Sequence, residues 1–373
     1  MDNRKAFDLC ITLPEYDITV NASGTRKMLV AYSPLQQLHQ PGQFMAAGQA
    51  ARHPDVPARV QNLRDAVEKL NFPIIEPRDH GLKYVARVHD AQYLDFLQHA
   101  FEAWSALPNK GPEVLPNVHP RRSGAPYPRS VIGRAGYHLY DMSCAIGKDT
   151  WTAMLWGAHS AAEAASRVRD GEETCAYALC RSPGHHAGPD YAGGFCHLNG
   201  TAVAAEVLRE RYARVAIVDV DVHHGNGTQD IFYARDDIFT VSLHGDTGDF
   251  YPYYWGTAAE TGDGPGTGFN LNMPLARHTG DDDYLGHLEN ALSRVRDWGA
   301  DAVVVPLGFD AYIHDPLAYL DITTEGFSRI AAALARLELP TVIVQEGGYM
   351  CEDLGKNLSA FMTGFETTRA RRA

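Results

Sequence analysis

Short runs of β-branched and aliphatic residues recur along the chain, separated by stretches with the period of an amphipathic helix. The apolar runs fall at 28–32, 176–180, 215–220, 239–243, 302–307 and 341–344, and the helical stretches at 57–70, 91–104, 152–168, 198–211, 283–298 and 325–337. A run that is apolar at nearly every position suits a strand buried on both faces, and strands alternating with helices build a parallel sheet covered on each side. The expected fold is therefore α/β in three layers, with a central, mostly parallel sheet and helices on both faces. The chain has no internal repeat and no low-complexity linker, so residues 1–373 are read as one domain with an N-terminal extension over 1–25.

Composition removes several classes of function. The formal net charge is −13, and the only basic cluster is Arg369, Arg371 and Arg372, which disfavours a nucleic-acid partner. An acidic balance is compatible with cationic substrates. No apolar run is long enough to span a bilayer, so no membrane partner is expected. The charged N-terminus is followed by Pro14, Glu15 and Asp17 rather than by a secretory apolar core, and the expected location is the cytoplasm. Six cysteines, Cys10, Cys144, Cys175, Cys180, Cys196 and Cys351, include no CxxC pair, so they read as buried thiols rather than as disulfides or a thiolate metal site.

In doubly covered parallel sheets, ligands gather beyond the carboxyl ends of the strands, and the polar residues of this chain cluster there. The segment Asp219-Val220-Asp221-Val222-His223-His224-Gly225-Asn226-Gly227 follows an apolar run. In an extended chain Asp219, Asp221 and His223 project to one face, an arrangement expensive to bury without a compensating cation. Asp310, after the most apolar run, supplies a third ligand. Asp221, His223 and Asp310 would give a tetrahedral zinc two oxygens, one nitrogen and an open position; the oxygen-rich set also suits Fe(II). His185 and His186 follow another run and are placed for proton transfer, with Asp219 and Asn226 as candidate orienting acceptors. Tyr349, in Glu346-Gly347-Gly348-Tyr349, could donate to a developing oxyanion. Two long loops remain. Residues 107–130 hold six prolines, and 245–268 mix glycines with Phe250, Tyr251, Tyr253, Tyr254 and Trp255, a composition suited to a pocket rim.

Taken in order, Gly184-His185-His186-Ala187, Gly194-Phe195-Cys196, the Asp219 segment, Val241-Ser242-Leu243-His244, Gly308-Phe309-Asp310 and Glu346-Gly347-Gly348-Tyr349 resemble the zinc-dependent histone deacetylase family. The resemblance covers nearly the whole chain. His80-Gly81-Leu82, Val88-His89-Asp90-Ala91-Gln92-Tyr93-Leu94, Arg121-Arg122 and Asp230-Ile231-Phe232-Tyr233 are most similar to the bacterial acetylpolyamine amidohydrolases. The resemblance implies an arginase/deacetylase-like fold, zinc on Asp221, His223 and Asp310, His186 as general base and acid, His185 acting electrostatically, and Tyr349 polarising the acyl oxygen. It further implies that Gly194, Phe195, Tyr251 and Leu317 border a narrow substrate tunnel, with His197 and the 107–130 loop shaping its surroundings. A structural monovalent cation, K+ or Na+, would sit near Asp219, Asp221, His223, Ser242 and Leu243. The 107–130 loop would also join two copies as a homodimer or higher homo-oligomer.

Some positions depart from those relatives. Where the acetylpolyamine enzymes place glutamates that attract a cationic chain, an ungapped register puts Ile132 and Ser143, with Asp141 nearby. Leu317 stands where eukaryotic polyamine deacetylases carry a gatekeeper glutamate, and Tyr251 replaces the more frequent Phe. The expected reaction is hydrolysis of an N-acetyl amide on a primary-amine chain, with acetylputrescine or acetylcadaverine ahead of acetyl-lysine in proteins and peptides. A binuclear manganese ureohydrolase is the more distant alternative, because Phe309-Asp310-Ala311-Tyr312 lacks the second aspartate of an Asp-x-Asp pair. A non-catalytic acyl-amine sensor is the alternative from another class; it predicts a missing catalytic group.

Overall fold

The computed structural model describes residues 27–120 and 124–371. The extension at 1–25, Cys10, Arg121, Arg122 and Arg372 lie outside them. The strands, in chain order, are β1 (Leu29–Ala31), β2 (Gln43–Ala46), β3 (Gln49–Arg52), β4 (Ile74–Ile75), β5 (Cys175–Ala178), β6 (Val215–Asp219), β7 (Ile238–Gly245), β8 (Asn270–Leu275), β9 (Ala302–Leu307) and β10 (Thr341–Gln345). Eight of them form one sheet in the order β4-β1-β5-β10-β9-β6-β7-β8, while β2 and β3 make a separate hairpin. Every pairing in the large sheet is parallel.

Alternate residues of each strand feed two separate cores. Ala216, Val218, Val303, Val305 and Ile343 pack on one face with side chains from the helices Pro57–Lys69, Asp281–Trp298, Thr324–Ala335 and Leu354–Ala370. Val215, Ile217, Val304, Val342 and Val344 pack on the other with the helices Ala91–Ser105, Thr150–Arg169 and Gly200–Leu208. Burial on both sides is what makes the strands continuously apolar, so the three-layer arrangement expected from the runs is the one observed. Each expected strand and helix is present, with ends shifted by at most three residues.

Four strands, β2, β3, β4 and β8, and four α-helices, Val85–Val88, Val131–His138, Asn226–Phe232 and Leu354–Ala370, are not among those expected, and for two of these elements the physical reason is plain. In β8 the polar Asn270 and Asn272 point inward while Leu271 and Met273 are only half-buried, and Pro274 is accommodated because β8 is an edge strand. The final helix Leu354–Ala370 is rich in Gly, Ser and Thr, poor formers on their own, and is held by packing on Thr324–Ala335. Cys144, Cys175, Cys180 and Cys196 are buried free thiols and Cys351 is half-buried. Among the described residues no helix is long and apolar enough to cross a membrane.

Candidate active site

The four central strands β5, β10, β9 and β6 are neighbours in the sheet although they are far apart in the sequence, and their carboxyl ends converge on one place. β5 leads to His185 and His186, β6 to Asp221 and His223, β9 to Asp310 and β10 to Tyr349. Asp221, His223 and Asp310 are all buried, and one ligand atom from each lies within 4.8 Å of the others. His223 Nδ1 is 3.2 Å from Asp221 Oδ1 and 3.2 Å from Asp310 Oδ2. Among the described residues this is the one cluster of three or more side chains able to hold a metal ion.

The backbone passes so close to the trio that two positions admit no side chain. A Cβ on Gly308 would lie 2.0 Å from Asp221 Oδ2, and one on Gly347 would lie 2.0 Å from Asp310 Oδ2. Gly347 N donates to Asp221 Oδ2 at 2.8 Å, which holds that carboxylate without neutralising it. Burial disfavours a charged His223, yet the two carboxylates outweigh it and raise its pKa to about 9. Two buried carboxylates around one imidazole nitrogen thus demand positive charge, and the donor set fits a divalent cation held by two oxygens and one nitrogen.

The structure sorts the two histidines by partner. His185 Nδ1 is 2.9 Å from Asp219 Oδ2, and His186 Nδ1 is 2.7 Å from Asn226 Oδ1. Burial opposes charge on His185, but Asp219, then Asp221 and Glu346, raise its pKa to about 10. His186 is driven the other way, well below the ordinary imidazole range, by burial and then by His185 and His223. One ring is therefore kept as a cation and its neighbour, 4.1 Å away between centroids, as a neutral base. Glu346 holds the loop beneath them, accepting from His185 N at 3.0 Å and from the Thr201 hydroxyl at 2.7 Å.

Above these groups opens a cavity of about 1260 Å³ lined by His186, His223, Tyr349 and the predicted border residues Gly194, Phe195, Tyr251 and Leu317. All five aromatics of the 245–268 loop line it, as do His119 and Pro120 of the 107–130 loop. The Phe195 ring meets Tyr349 edge-on at 5.7 Å, and Tyr251 meets His186 edge-on at 5.0 Å. Asp141 ties the walls together: Oδ2 accepts from Tyr251 Oη at 2.7 Å and from Gly194 N at 3.1 Å.

His197 stands elsewhere. It is absent from the cavity lining and buried, with its ring 5.4 Å from that of His39. The resemblance placed His197 around the tunnel; in the structure a tight turn, with Phe195 at a φ of 71° and Gly193 bridged to Cys196, precedes it, and its ring lies outside the cavity lining. Of the expected monovalent-cation group, Asp219 and Ser242 are register partners across β6 and β7, with Leu243 next in line. His224 turns away from the metal trio towards Gln229 and Asn272, at 3.1 and 3.2 Å.

Sequence reasoning missed several supports. Phe250 stacks on His223 at 4.7 Å, Asp315 accepts from Tyr349 N at 2.6 Å, and buried Arg59 lies 5.4 Å over the Tyr349 ring while donating to the carbonyls of Glu346 and Gly348. Arg59 carried a legible signal. It lies on the buried stripe of the helix Pro57–Lys69 with Val60, Leu63, Ala66 and Val67, a place for a charge only if it is partnered.

The histone deacetylase domain family matches this chain over residues 53–365. An acetylpolyamine amidohydrolase of Burkholderia pseudomallei is 45% identical over 343 residues, covering 92% of this chain and 100% of that protein. Acetylpolyamine amidohydrolase 1 of Pseudomonas aeruginosa is 40% identical over 344 residues, covering 91% of this chain and 99% of its own length. The crystal structure of an acetylpolyamine aminohydrolase from Burkholderia pseudomallei superposes with a TM-score of 0.89 at 44% identity, covering 92% of this chain and 99% of that one.

Proposed function

Because the chain belongs to the histone deacetylase family, we propose that it is a zinc-dependent amidohydrolase that removes acetate from acetylated polyamines. Asp221, His223 and Asp310 would hold the ion, with Fe(II) as the alternative occupant. Bound there, a divalent ion polarises an amide carbonyl and lowers the pKa of water. His186, neutral and tied to Asn226 through Nδ1, keeps Nε2 free to take a proton from the attacking water and return it to the leaving amine. His185, held as a cation by Asp219, steadies the negative charge that builds up beside it. The Tyr349 hydroxyl donates to the same developing oxyanion from the cavity side.

The observation that carries the substrate class is the chemistry of the cavity wall. Among the described residues its lining holds the carboxylates of Asp141 and Asp190, many aromatic faces and no lysine or arginine. Aromatic faces accept methylene chains and cations alike, and carboxylates favour an ammonium group at the far end of the substrate. The similarity to two acetylpolyamine amidohydrolases over at least nine-tenths of their length supports the same class. We extend the proposal to a K+ or Na+ ion near Asp219, Asp221, His223, Ser242 and Leu243, and to a homodimer contact through residues 107–130.

The test is kcat/KM across acetylputrescine, acetylcadaverine, acetylspermidine and acetyl-lysine peptides, with metal content measured on the same preparation. Small acetylated diamines should be preferred, and Asp141→Asn should reduce that preference. Peptides favoured over every polyamine would refute the substrate class. Two manganese ions per chain would refute the mononuclear site.

A further inference from the structure

The two histidines of the site are anchored by partners of different kinds. Asp219 is a carboxylate with two equivalent oxygens, so either can accept from His185 whichever way the group turns. Asn226 is an amide. Rotated by half a turn, it would present Nδ2 to His186 Nδ1, and the ring would have to place its hydrogen on Nε2 instead. That tautomer cannot act as a base towards the cavity.

Two further hydrogen bonds settle which way Asn226 faces. Asn226 Nδ2 donates to Tyr191 Oη at 3.1 Å, and Tyr191 Oη donates to Asp230 Oδ2 at 2.6 Å. An ionised carboxylate only accepts, so the Tyr191 proton is committed to Asp230 and its oxygen is left to accept from Asn226. Asn226 Oδ1 then faces His186 Nδ1, at 2.7 Å, and that nitrogen carries the hydrogen. Every link in the chain has one direction, set by the charge at its far end.

The Tyr191 ring is built into place. A Cβ on Gly188 would lie 2.2 Å from it, so only glycine lets the ring rest on the main chain two residues after His186. Gly188 N also donates to the Tyr191 carbonyl at 2.9 Å, and Trp255 stacks on the ring at 6.5 Å. We infer that Tyr191 and Asp230 are positioning residues, which act through Asn226 to hold His186 in the tautomer whose Nε2 is bare. The inference rests on the deacetylase reading for its link to rate, but the tautomer itself can be read independently.

The experiment compares Asp230→Leu, Asp230→Asn and Tyr191→Phe in the zinc-loaded protein, by acetate release from acetylputrescine and by the 15N shifts of the His186 imidazole. The wild type should show hydrogen on Nδ1 only. Asp230→Leu should populate the other tautomer and lower kcat about tenfold with KM unchanged, the scale of losing a hydrogen-bond partner that orients a reactive side chain. Asp230→Asn keeps an accepting oxygen but loses the charge that fixes the direction, so it should fall between Asp230→Leu and the wild type in both tautomer and kcat. Tyr191→Phe should behave as Asp230→Leu does, and serves if the leucine variant fails to fold. An unaltered tautomer in Asp230→Leu and Tyr191→Phe would overturn the inference, whether or not kcat falls. A wild type that releases no acetate would refute the deacetylase reading instead, and the imidazole shifts would still decide the relay.

Discussion

Tyr349→Phe separates catalysis from structure at this site. The tyrosine is held by contacts that phenylalanine retains: the Arg59 guanidinium 5.4 Å over the ring, the Phe195 edge at 5.7 Å, and the backbone N–H to Asp315 at 2.6 Å. Only the hydroxyl is lost. Burial first, and then Asp310, keep that hydroxyl protonated far above the ordinary tyrosine range, so it is a donor at any pH where the fold survives. Removing one oxyanion donor costs about 3–4 kcal/mol of transition-state stabilisation, or a loss of roughly 100- to 1000-fold in kcat. Stability should change by no more than about 1 kcal/mol, the net worth of one hydrogen bond. Bound metal per chain should not change, because Tyr349 is outside the ligand cluster. The assay is steady-state acetate release with thermal unfolding and metal analysis on the same samples. A kcat within tenfold of wild type would refute the oxyanion role. A large loss accompanied by loss of metal would show that the tyrosine shapes the site rather than the transition state. Acetate release by the wild type would in turn exclude the non-catalytic sensor.

Two other outcomes follow from the same geometry. Gly347→Ala should lower metal content while the chain still folds, because the new Cβ would press on Asp310 Oδ2 at 2.0 Å and Asp221 Oδ2 at 2.5 Å; full metal occupancy would contradict the ligand assignment. His89 should titrate near 4, since burial lowers its pKa and its Nε2 must stay bare to accept from Asn199 N at 2.9 Å. Its contribution to stability is complete above the ordinary imidazole value of about 6.5 and is lost as pH falls towards the folded value, because the unfolded chain takes up the proton first. NMR titration of the His89 ring with a midpoint at 6 or above would contradict this.

Much of this protein was legible in one dimension, for an identifiable reason. Period and apolarity are local properties, so β6, β9 and β10 could be read from their own residues, and the rule that ligands gather at strand exits then pointed to Asp221, His223, Asp310, His185, His186 and Tyr349. Elements whose pattern is set by distant neighbours could not be read in this way. β8 turns its asparagines inward because Gln229, Asn272 and His224 bond to one another there, and the last helix exists because another helix covers it.

What the sequence alone determined was the set of reactive groups and the ends of the strands that carry them, since side-chain chemistry and backbone period need no knowledge of the rest of the chain. Only the tertiary structure decided how those groups are paired. The order of the strands set Asp310 against His223, assigned Asp219 to His185 and Asn226 to His186, brought Asp141 between Tyr251 and Gly194, and left His197 outside the cavity. Proton position and charge depend on separations of about 3 Å, and such separations between segments far apart in the chain exist only once the sheet has formed.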